Sequence, residues 1–306
     1  MVASCLGQDL LNNLPNMFIV KYKSSFIAIA IAMVVASVML VSHYGIKKGI
    51  DFTGGTVIEI SYATSSVQKI NIKELEKNGI KAFSTGATTY KFISSGSFEE
   101  TDALLKGSLD NVKYPFKVTQ VNTVGPTMGK EMTKKAGIAI VTVVLAILGF
   151  IAFAFREVSL PVASWKYGVV AMVTIVHDIV VPIGVYAYLS HYYGAEVDTL
   201  FVVALLTIMA VTISDKIVVF DRIRENLKVQ GHKKSFEGIV GESVAQTFTR
   251  SVNTSLTTVL SLIALYYFGP ETTKFFSLTL MVGIVVGTYS SIFVASPLLT
   301  IWNKGK

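Results

Sequence analysis

An acidic residue inside an apolar helix is the first feature of this sequence that could do chemistry. The segment from Thr199 to Phe220 is almost entirely apolar, yet Asp215 and Lys216 interrupt it before the charged run that starts at Asp221. At 1.5 Å per residue, Asp215 lies about 9 Å deeper in the membrane than Asp221. A lysine side chain is long enough to extend back to water, whereas an aspartate at that depth must be neutral, paired or hydrated. We therefore expect Lys216 to reach the membrane surface and Asp215 to carry a proton or form an ion pair.

The next apolar segment supplies a cation that could hold or release this carboxylate. An aspartate beside an arginine keeps its charge, and one that moves away into an apolar setting takes up a proton. The pattern fits equally well a proton relay between Asp215 and Arg250 and a structural ion pair that locks two helices. Arg250 belongs to a stripe of polar side chains that recur every three or four residues and so share one helix face: Thr247, Arg250, Thr254, Thr257 or Thr258, and Ser261.

A second polar pair, His177 and Asp178, falls near the middle of an apolar segment that Pro182 is expected to bend. Histidine titrates near neutral pH, and a mid-membrane aspartate is costly enough to indicate a role. We expect the pair either to extend the proton relay or to bond to a neighbouring helix. No further ligands or nucleophile accompany it, so the sequence predicts no metal, no cofactor and no catalytic residues.

The composition indicates a membrane protein. Only 15% of the 306 residues are charged, against roughly a quarter in soluble proteins, and the mean hydropathy is +0.57. The single cysteine, Cys5, excludes a disulfide within the chain, and no apolar run precedes it as a lipoprotein signal would require. Six segments have the roughly 20 mostly apolar residues that a membrane helix needs: Phe26–Tyr44, Ala136–Phe155, Tyr167–Leu189, Thr199–Phe220, Thr247–Phe268 and Phe276–Trp302.

The distribution of lysine and arginine predicts that both termini are cytoplasmic. These residues are concentrated before the first segment and after the second, fourth and sixth, as expected on the cytoplasmic side. The cytoplasmic parts are then residues 1–25 and 303–306, and residues 45–135 form one periplasmic domain. The net charge of +7 therefore reflects residues that flank membrane lipid and gives no reason to expect nucleic-acid binding.

The predicted periplasmic domain has the pattern strand, helix, strand, strand, helix, strand. That order is typical of the ferredoxin-like plan, a sheet with both helices on one face. Ser97 and Glu100 have the spacing of a capping box at the start of the second helix. We therefore predict an α-helical multi-pass membrane protein with six transmembrane helices (residues 26–44 and five within 136–302) and one α+β domain.

Two glycine patterns concern packing and backbone rather than chemistry. Gly283, Gly287 and Ser291 recur every four residues, a spacing that lets two membrane helices approach closely. The stretch GIDFTGGT, from Gly49 to Thr56, resembles a glycine-rich phosphate-binding loop. It lacks the GK[ST] ending and precedes a strand instead of a helix, so we exclude nucleotide binding there.

Six motifs, in order along nearly the whole chain, resemble those of the SecD/SecF family of bacterial protein-export membrane proteins. The third, HD, is the pair His177 and Asp178. The others are GIDFTGGT with Gly49, Asp51, Gly54 and Gly55; VGPTMGKEM; SDKIVVFDRIREN with Asp221 and Arg222; QTFTRSVNTSLTT; and GTYSSIFVASPLL.

This resemblance implies a fold of the resistance–nodulation–division type and a definite set of partners. The chain would pair with SecD, which supplies six further helices, and work beside the SecYEG channel and SecA. The pair would use the proton-motive force to promote the passage of unfolded preproteins across the inner membrane. In the family an aspartate and an arginine belong to the proton path, and they match Asp215 and Arg250.

The sequence departs from the family pattern on either side of that aspartate. Ser214 and Lys216 stand where the family usually has asparagine and threonine. A serine still offers a hydrogen bond, whereas the charge of Lys216 would change the proton affinity of Asp215. The sequence therefore leaves open whether protons or sodium ions drive the subunit.

Three other functions are the alternatives to this one. A passive scaffold that stabilises SecD or the SecYEG channel would need the same helices and no ion movement. Half of a small-molecule efflux pump would need a drug-sized pocket, for which an outer domain of about 90 residues leaves little room. An intramembrane enzyme would need a nucleophile with a base in reach, which the sequence does not offer.

Overall fold

The computed structural model describes residues 18–62, 75, 79–84, 88–109, 115–154, 164–230 and 233–302. Within this part of the chain, six helical spans are long and apolar enough to cross a membrane, which confirms the predicted fold class. In chain order the helices are α1 (Phe18–Lys21), α2 (Lys23–Tyr44), α3 (Ile50–Thr53), α4 (Phe98–Ser108), α5 (Pro126–Ala154), α6 (Ser164–Tyr193), α7 (Thr199–Gln230), α8 (Phe236–Phe268), α9 (Lys274–Ser290) and α10 (Ser296–Trp302). The strands are β1 (Gly55–Tyr62), β2 (Ile80–Ser84), β3 (Thr89–Ser94) and β4 (Phe116–Val124).

Several spanning helices are longer than the apolar segments that predict them. Helix α5 begins at Pro126 rather than at Ala136, and α7 continues past Phe220 to Gln230. The added turns are rich in polar residues. A helix can continue through them because its backbone hydrogen bonds do not depend on the hydrocarbon layer, which sets only the length of the apolar part. The predicted bounds therefore mark the apolar part of each helix rather than its ends.

The chain divides into two compact units. The first, the helical unit, consists of residues up to His43, Val141–Val185 and the residues from Val203 onward. The second, the α+β unit, consists of Tyr44–Ile140 together with Tyr186–Val202. The turn between α6 and α7 thus belongs to the same unit as the sheet, although some 60 residues of sequence lie between them.

The four strands of the α+β unit form one antiparallel sheet in the order β2–β3–β1–β4. In this order β3 lies between β1 and β2, as the ferredoxin-like plan requires. Helix α4 is the second helix of that plan. The first predicted helix lies outside the described residues except for Leu75, which packs in the core beneath the sheet.

The core of the α+β unit lies on one face of this sheet. Ile58 of β1 and Phe92 of β3 are buried there with Leu105 of α4. Helix α4 begins at the predicted capping box: the Glu100 N–H donates to the Ser97 hydroxyl over 3.4 Å, and the Ser97 N–H donates to the Glu100 carboxylate over 3.3 Å. The box satisfies two of the four backbone N–H groups that a helix start leaves unpaired.

The helical unit has its own core, which lies mainly between α6, α7 and α8. Its buried members include Tyr167, Phe220 and Val244, and the rings of Tyr167 and Phe220 meet edge to face at 5.4 Å. On another side Gly184 of α6 lies directly against Ser37 of α2, where a Cβ on the glycine would overlap the serine. This missing side chain allows two apolar helices to approach closely.

Candidate functional site

A fully buried ion pair joins α6 to α7 near the middle of both helices. Asp178 and Lys216 are each 0% exposed, and the Lys216 ammonium donates to the Oδ2 atom of Asp178 over 2.5 Å. Both residues lie roughly 20 Å or more along the helix axis from either end. The expectation that Lys216 extends to the membrane surface is therefore wrong, because a carboxylate at its own depth attracts the ammonium strongly in a medium of low dielectric constant.

Polar groups from three helices surround this pair. The Nδ1 atom of His177, on α6, is 3.1 Å from Oδ1 of Asp178. Ser290, on α9, lies close to the Asp178 carboxylate, and its hydroxyl donates to the backbone oxygen of Gly287 over 3.1 Å. The Lys216 ammonium has a second acceptor in the backbone oxygen of Thr212, one turn earlier on α7, at 3.3 Å. Asp178 is thus held by His177 of its own helix and by Lys216 of α7.

Two buried polar atoms beside the pair have no hydrogen-bond partner within the described part of the chain. They are Nε2 of His177 and Oγ1 of Thr212. Gly287 lets α9 pack closely against this site. A Cβ on it would overlap Thr212 and would come 3.7 Å from Oδ2 of Asp178. Unsatisfied polar atoms in a buried polar site are the places where a water molecule or an ion would bind.

Asp215 lies beside this buried pair but belongs to a different environment. It is half-buried, while Lys216, the next residue, is completely buried, because consecutive helical residues point about 100° apart. Among the described residues Asp215 forms no ion pair, and the charges near enough to act on its carboxylate are those of Lys216, Arg250 and Asp178. The structure therefore brings Asp215 and Arg250 near each other without a direct salt bridge.

The polar stripe of α8 is the exposed face of that helix. Thr247, at the start of the stripe, is buried, whereas Arg250, Thr254, Thr257 and Ser261 are exposed in the chain. The hydroxyls donate to backbone oxygens one turn earlier, as Thr254 does to Arg250 over 2.9 Å. The guanidinium of Arg250 forms no hydrogen bond or ion pair with any other described residue. Arg250 is therefore a charged group of this face that no described side chain neutralises by direct contact.

The small residues predicted to aid packing lie where α9 meets α7. A Cβ on Gly283 would overlap Ile208, and one on Gly287 would overlap Thr212. Ser291 is buried, and its hydroxyl donates to the backbone oxygen of Gly287 over 2.6 Å. The close approach of these helices is what places the Ser290 hydroxyl beside Asp178.

The charged run at the end of α7 connects this helix to α8. The Nε atom of Arg222 donates to Oε1 of Gln246 over 2.5 Å, and Asn226 donates to Ser243 over 2.8 Å. The side chain of Asp221 is 68% exposed. Arg222 therefore positions two helices against each other, whereas Asp221 faces outward.

In the α+β unit, the glycine-rich segment holds the first turn of α7. The N–H of Thr199 donates to Oδ2 of Asp51 over 2.9 Å. The N–H of Gly49 donates to the backbone oxygen of Val197, and the N–H of Val197 donates to that of Lys47, each over 2.8 Å. A Cβ on Gly49 would come 2.9 Å from the Val197 oxygen. This segment therefore docks by backbone contacts that glycine permits.

Gly54 and Gly55 are required by the backbone itself. Their φ angles are 78° and 135°, a region that residues with a Cβ rarely adopt. A Cβ on Gly54 would also come 2.8 Å from Pro126, at the start of α5. The glycine pair thus makes the tight turn that leads from α3 into β1.

Two acids precede α7, Glu196, which is buried, and Asp198, which is half-buried. The N–H of Phe201 donates to the Asp198 carboxylate over 2.7 Å, which makes Asp198 the N-cap of the helix. Burial raises the pKa of Asp198, and the negative charge of Asp51 adds to the rise. Burial likewise raises the pKa of Glu196, against the opposing effect of Lys91 and other lysines. The turn between α6 and α7 is therefore an acidic, partly desolvated segment.

Sequence reasoning missed the partner of Lys216 and the role of Asp51 as a cap for α7. A signal was available for the first, because Asp178 and Lys216 carry opposite charges at similar distances from the short turn between their helices. No local signal indicates the second, since Asp51 and Thr199 are far apart in sequence. Among the described residues no group of three or more His, Cys, Asp or Glu side chains could hold a metal ion.

Comparisons of the sequence with known proteins identify the same family as the motifs do. Residues 105–305 match the family model described as protein export membrane protein SecD/SecF, C-terminal, and residues 40–65 match the SecD/SecF GG motif. The protein translocase subunit SecF of Thermobaculum terrenum is 37% identical over 305 residues, covering 94% of each chain. The subunit SecF of Anaerolinea thermophila is 35% identical over 290 residues, covering 92% of each chain.

A solved structure has the same fold over most of the chain. The crystal structure of SecDF, a translocon-associated membrane protein from Thermus thermophilus, matches with a TM-score of 0.80 and 31% sequence identity. The match covers 94% of this chain and 39% of the longer SecDF chain. The chain therefore spans less than half of that protein.

Proposed function

Because the chain belongs to the SecD/SecF family of protein export membrane proteins, we propose that it uses the proton-motive force, together with a SecD-type partner, to promote protein export. The cargo would be an unfolded preprotein on its way through the SecYEG channel, driven there by SecA. In this arrangement the termini are cytoplasmic and the α+β unit is periplasmic, as the charge distribution favours. Family membership supplies the transport function, and the proposal adds its energy source and its site.

The observation that carries the proposal is the placement of Asp215. A half-buried carboxylate within a membrane helix is costly unless it can be neutralised, and such groups usually serve ion pathways. Arg250 is near enough to act on Asp215 and is not bonded to it. A small movement of α8 against α7 would then change the balance between an ionised and a protonated Asp215. That movement would couple proton uptake and release to the conformation of the helices.

The exposed face of α8 supports a SecD-type partner. An arginine within a membrane span almost always faces other helices or a water-filled cavity. The Arg250 guanidinium is exposed in the isolated chain, so a neighbouring protein has to cover it. A partner that completes the set of membrane helices would enclose Arg250 and Asp215 in a polar path between the two subunits.

The energy available to such a path is sufficient for mechanical work on a sliding chain. One charge that crosses the membrane releases about 2.3 kcal/mol per 100 mV, and a pH difference adds about 1.4 kcal/mol per unit. A few protons in each cycle would bias the motion of an unfolded segment in the outward direction.

Asp215→Asn and Arg250→Lys test the proposal when assembly and proton flux are measured separately. Each variant is co-expressed with the partner, purified as the complex and reconstituted into vesicles that contain a pH-sensitive dye. We expect normal co-purification with lost proton flux for Asp215→Asn. Asp221→Asn is the matched control, because Asp221 is on the same helix and faces outward. Normal flux in Asp215→Asn would reject the relay.

A passive scaffold is the second candidate, and the buried Asp178–Lys216 pair favours it. A fully buried ion pair between two helices fixes their relative position, which is what a stabilising subunit needs. The scaffold predicts that both Asp215→Asn and Arg250→Lys assemble and conduct protons as the unmodified complex does. The same flux measurement therefore separates the two functions.

A further inference from the structure

The oxygen atoms around the Lys216 ammonium form a set of ligands that could bind a small cation. They are Oδ2 of Asp178 at 2.5 Å and the backbone oxygen of Thr212 at 3.3 Å. The Thr212 hydroxyl beside them is buried and unpartnered within the described part of the chain. Pro182, one turn after Asp178 on α6, has no N–H to donate to the Asp178 carbonyl. Carboxylate and free carbonyl oxygens inside membrane helices are the groups that bind sodium ions or protons.

A carboxylate at this position cannot stay charged by itself. Asp178 is completely buried near the middle of α6, where it needs a proton, a bound cation or a fixed positive group. Lys216 supplies that positive group through a covalent tether, at the depth where a free ion would otherwise have to enter. The other ionisable groups that face this region are His177 on α6, Asp215 on α7 and Arg250 on α8, while α9 contributes the neutral Ser290.

We propose that the Lys216 ammonium is a built-in counter-cation that keeps Asp178 ionised, so that proton traffic in this chain uses Asp215 and not Asp178. The inference rests on the proposed function for its second half only. Adjacent residues of one turn of α7 then serve two separate purposes. Lys216 forms a fully buried ion pair with Asp178 between α6 and α7. Asp215 stays half-buried, where the charge of Arg250 acts on it.

Removal of the Lys216 ammonium should leave a vacant cation site at Asp178, which a proton or a sodium ion can then occupy. Lys216→Met keeps most of the side-chain length and removes the charge, which leaves Asp178 buried and unpaired. We expect this variant, in the purified complex, to gain stability when the medium is acidified or when choline is replaced by sodium, with a rise in Tm of about 2–4 °C. The unmodified chain should show no sodium effect. A Lys216→Met variant whose Tm follows that of the unmodified chain in both series would overturn the proposal.

The double variant Asp178→Leu/Lys216→Met is the matched control and protects the test against a misfolded single variant. Replacement of both partners of a buried pair by apolar residues is often neutral or stabilising, whereas removal of one partner is strongly destabilising. We expect the double variant to accumulate and to show no sodium effect, even if Lys216→Met alone does not accumulate. Failure of the double variant to accumulate would mean that the pair does more than balance charge, and the proposal would be rejected.

Proton flux in reconstituted vesicles decides the second half. The double variant should retain proton flux, and Asp215→Asn should lose it. Lost flux in an assembled double variant would show that Asp178 belongs to the proton path and would overturn the inference. Normal flux in Asp215→Asn would instead reject the proposed function, and the stability series would still decide whether Lys216 balances Asp178.

Discussion

Removal of the Asp51 carboxylate should loosen the contact between the glycine-rich segment and the first turn of α7. Asp51→Ala deletes the acceptor of the Thr199 N–H, which lies 2.9 Å from Oδ2. Loss of a capping acceptor costs about 0.5–2 kcal/mol. The N-cap contact of Asp198 with Phe201 at 2.7 Å remains, and relief of the repulsion between the two acids offsets part of the loss. We therefore expect a net cost of about 1 kcal/mol.

That cost corresponds to roughly a fivefold increase in local opening, since 1.4 kcal/mol is a factor of ten. The amides that report on it are those of Gly49 and Val197, whose hydrogen bonds to backbone oxygens join the two segments at 2.8 Å each. Hydrogen exchange followed by mass spectrometry on peptides that cover residues 45–56 and 195–205 would measure their protection. We expect exchange to become about fivefold faster in Asp51→Ala.

Two controls make this result specific. Asp51→Asn keeps an oxygen acceptor at the same position and should exchange nearly as the unmodified chain does. Asp102→Ala removes an aspartate of α4 that pairs with Lys106 and should leave these two peptides unchanged. Equal protection in the unmodified chain and Asp51→Ala would refute the reasoning, because the backbone contacts of Gly49 would then hold the segment alone.

Two further predictions concern the acidic turn and the glycine face of α9. Burial raises the folded-state pKa of Glu196 above its ordinary value of 4.5, so its contribution to stability is complete below that value and is lost as the pH rises through the raised pKa. Glu196→Gln should therefore raise the Tm at neutral pH and flatten the Tm–pH profile in that range, and a profile that keeps its slope would contradict the assignment. Gly287→Val would place a side chain into Thr212, and thermal unfolding should show a loss of about 1–3 kcal/mol. Gly137→Val is the control and should cost less, because a Cβ added to Gly137 would meet no atom within 4 Å.

The length of the apolar segments was enough to predict the membrane-spanning helices, because a membrane span has to satisfy its backbone internally over a fixed thickness. The capping box of Ser97 and Glu100 was also predictable, since it is a local pattern of four residues. The α+β plan of the second unit was predicted from the order of strands and helices along the chain. Each of these features is encoded within a short stretch of sequence.

The contacts of Lys216 and Asp51 were not predictable in the same way. The sequence places Lys216 at a depth from which it could either reach water or meet a carboxylate, and only the packing of α6 against α7 decides between them. Asp51 finds Thr199 because the turn between α6 and α7 belongs to the α+β unit. Local patterns report depth and helix face, whereas partners depend on how distant elements are arranged.

The sixth span contains an irregular turn whose consequence is mechanical. A π turn, Ser291–Ala295, separates α9 from α10, and Pro297 follows it, where the ring would clash with a carbonyl of a regular helix. The Ser296 hydroxyl donates to the Ser291 carbonyl over 3.3 Å, so that oxygen is not left bare.

The span therefore consists of a stretch of 17 residues and a stretch of 7 residues joined by the π turn. Buried Ile292, Ala295 and Leu299 pack the turn and the short stretch into the core of the helical unit. Trp302 at the tip of the short stretch stacks edge to face on Trp165 at 5.4 Å. Tryptophans of this kind anchor a helix end at the level of the lipid headgroups. The end of this span is thus fixed at two levels, by the buried side chains of the π turn and α10 inside the bundle and by the aromatic pair at its tip.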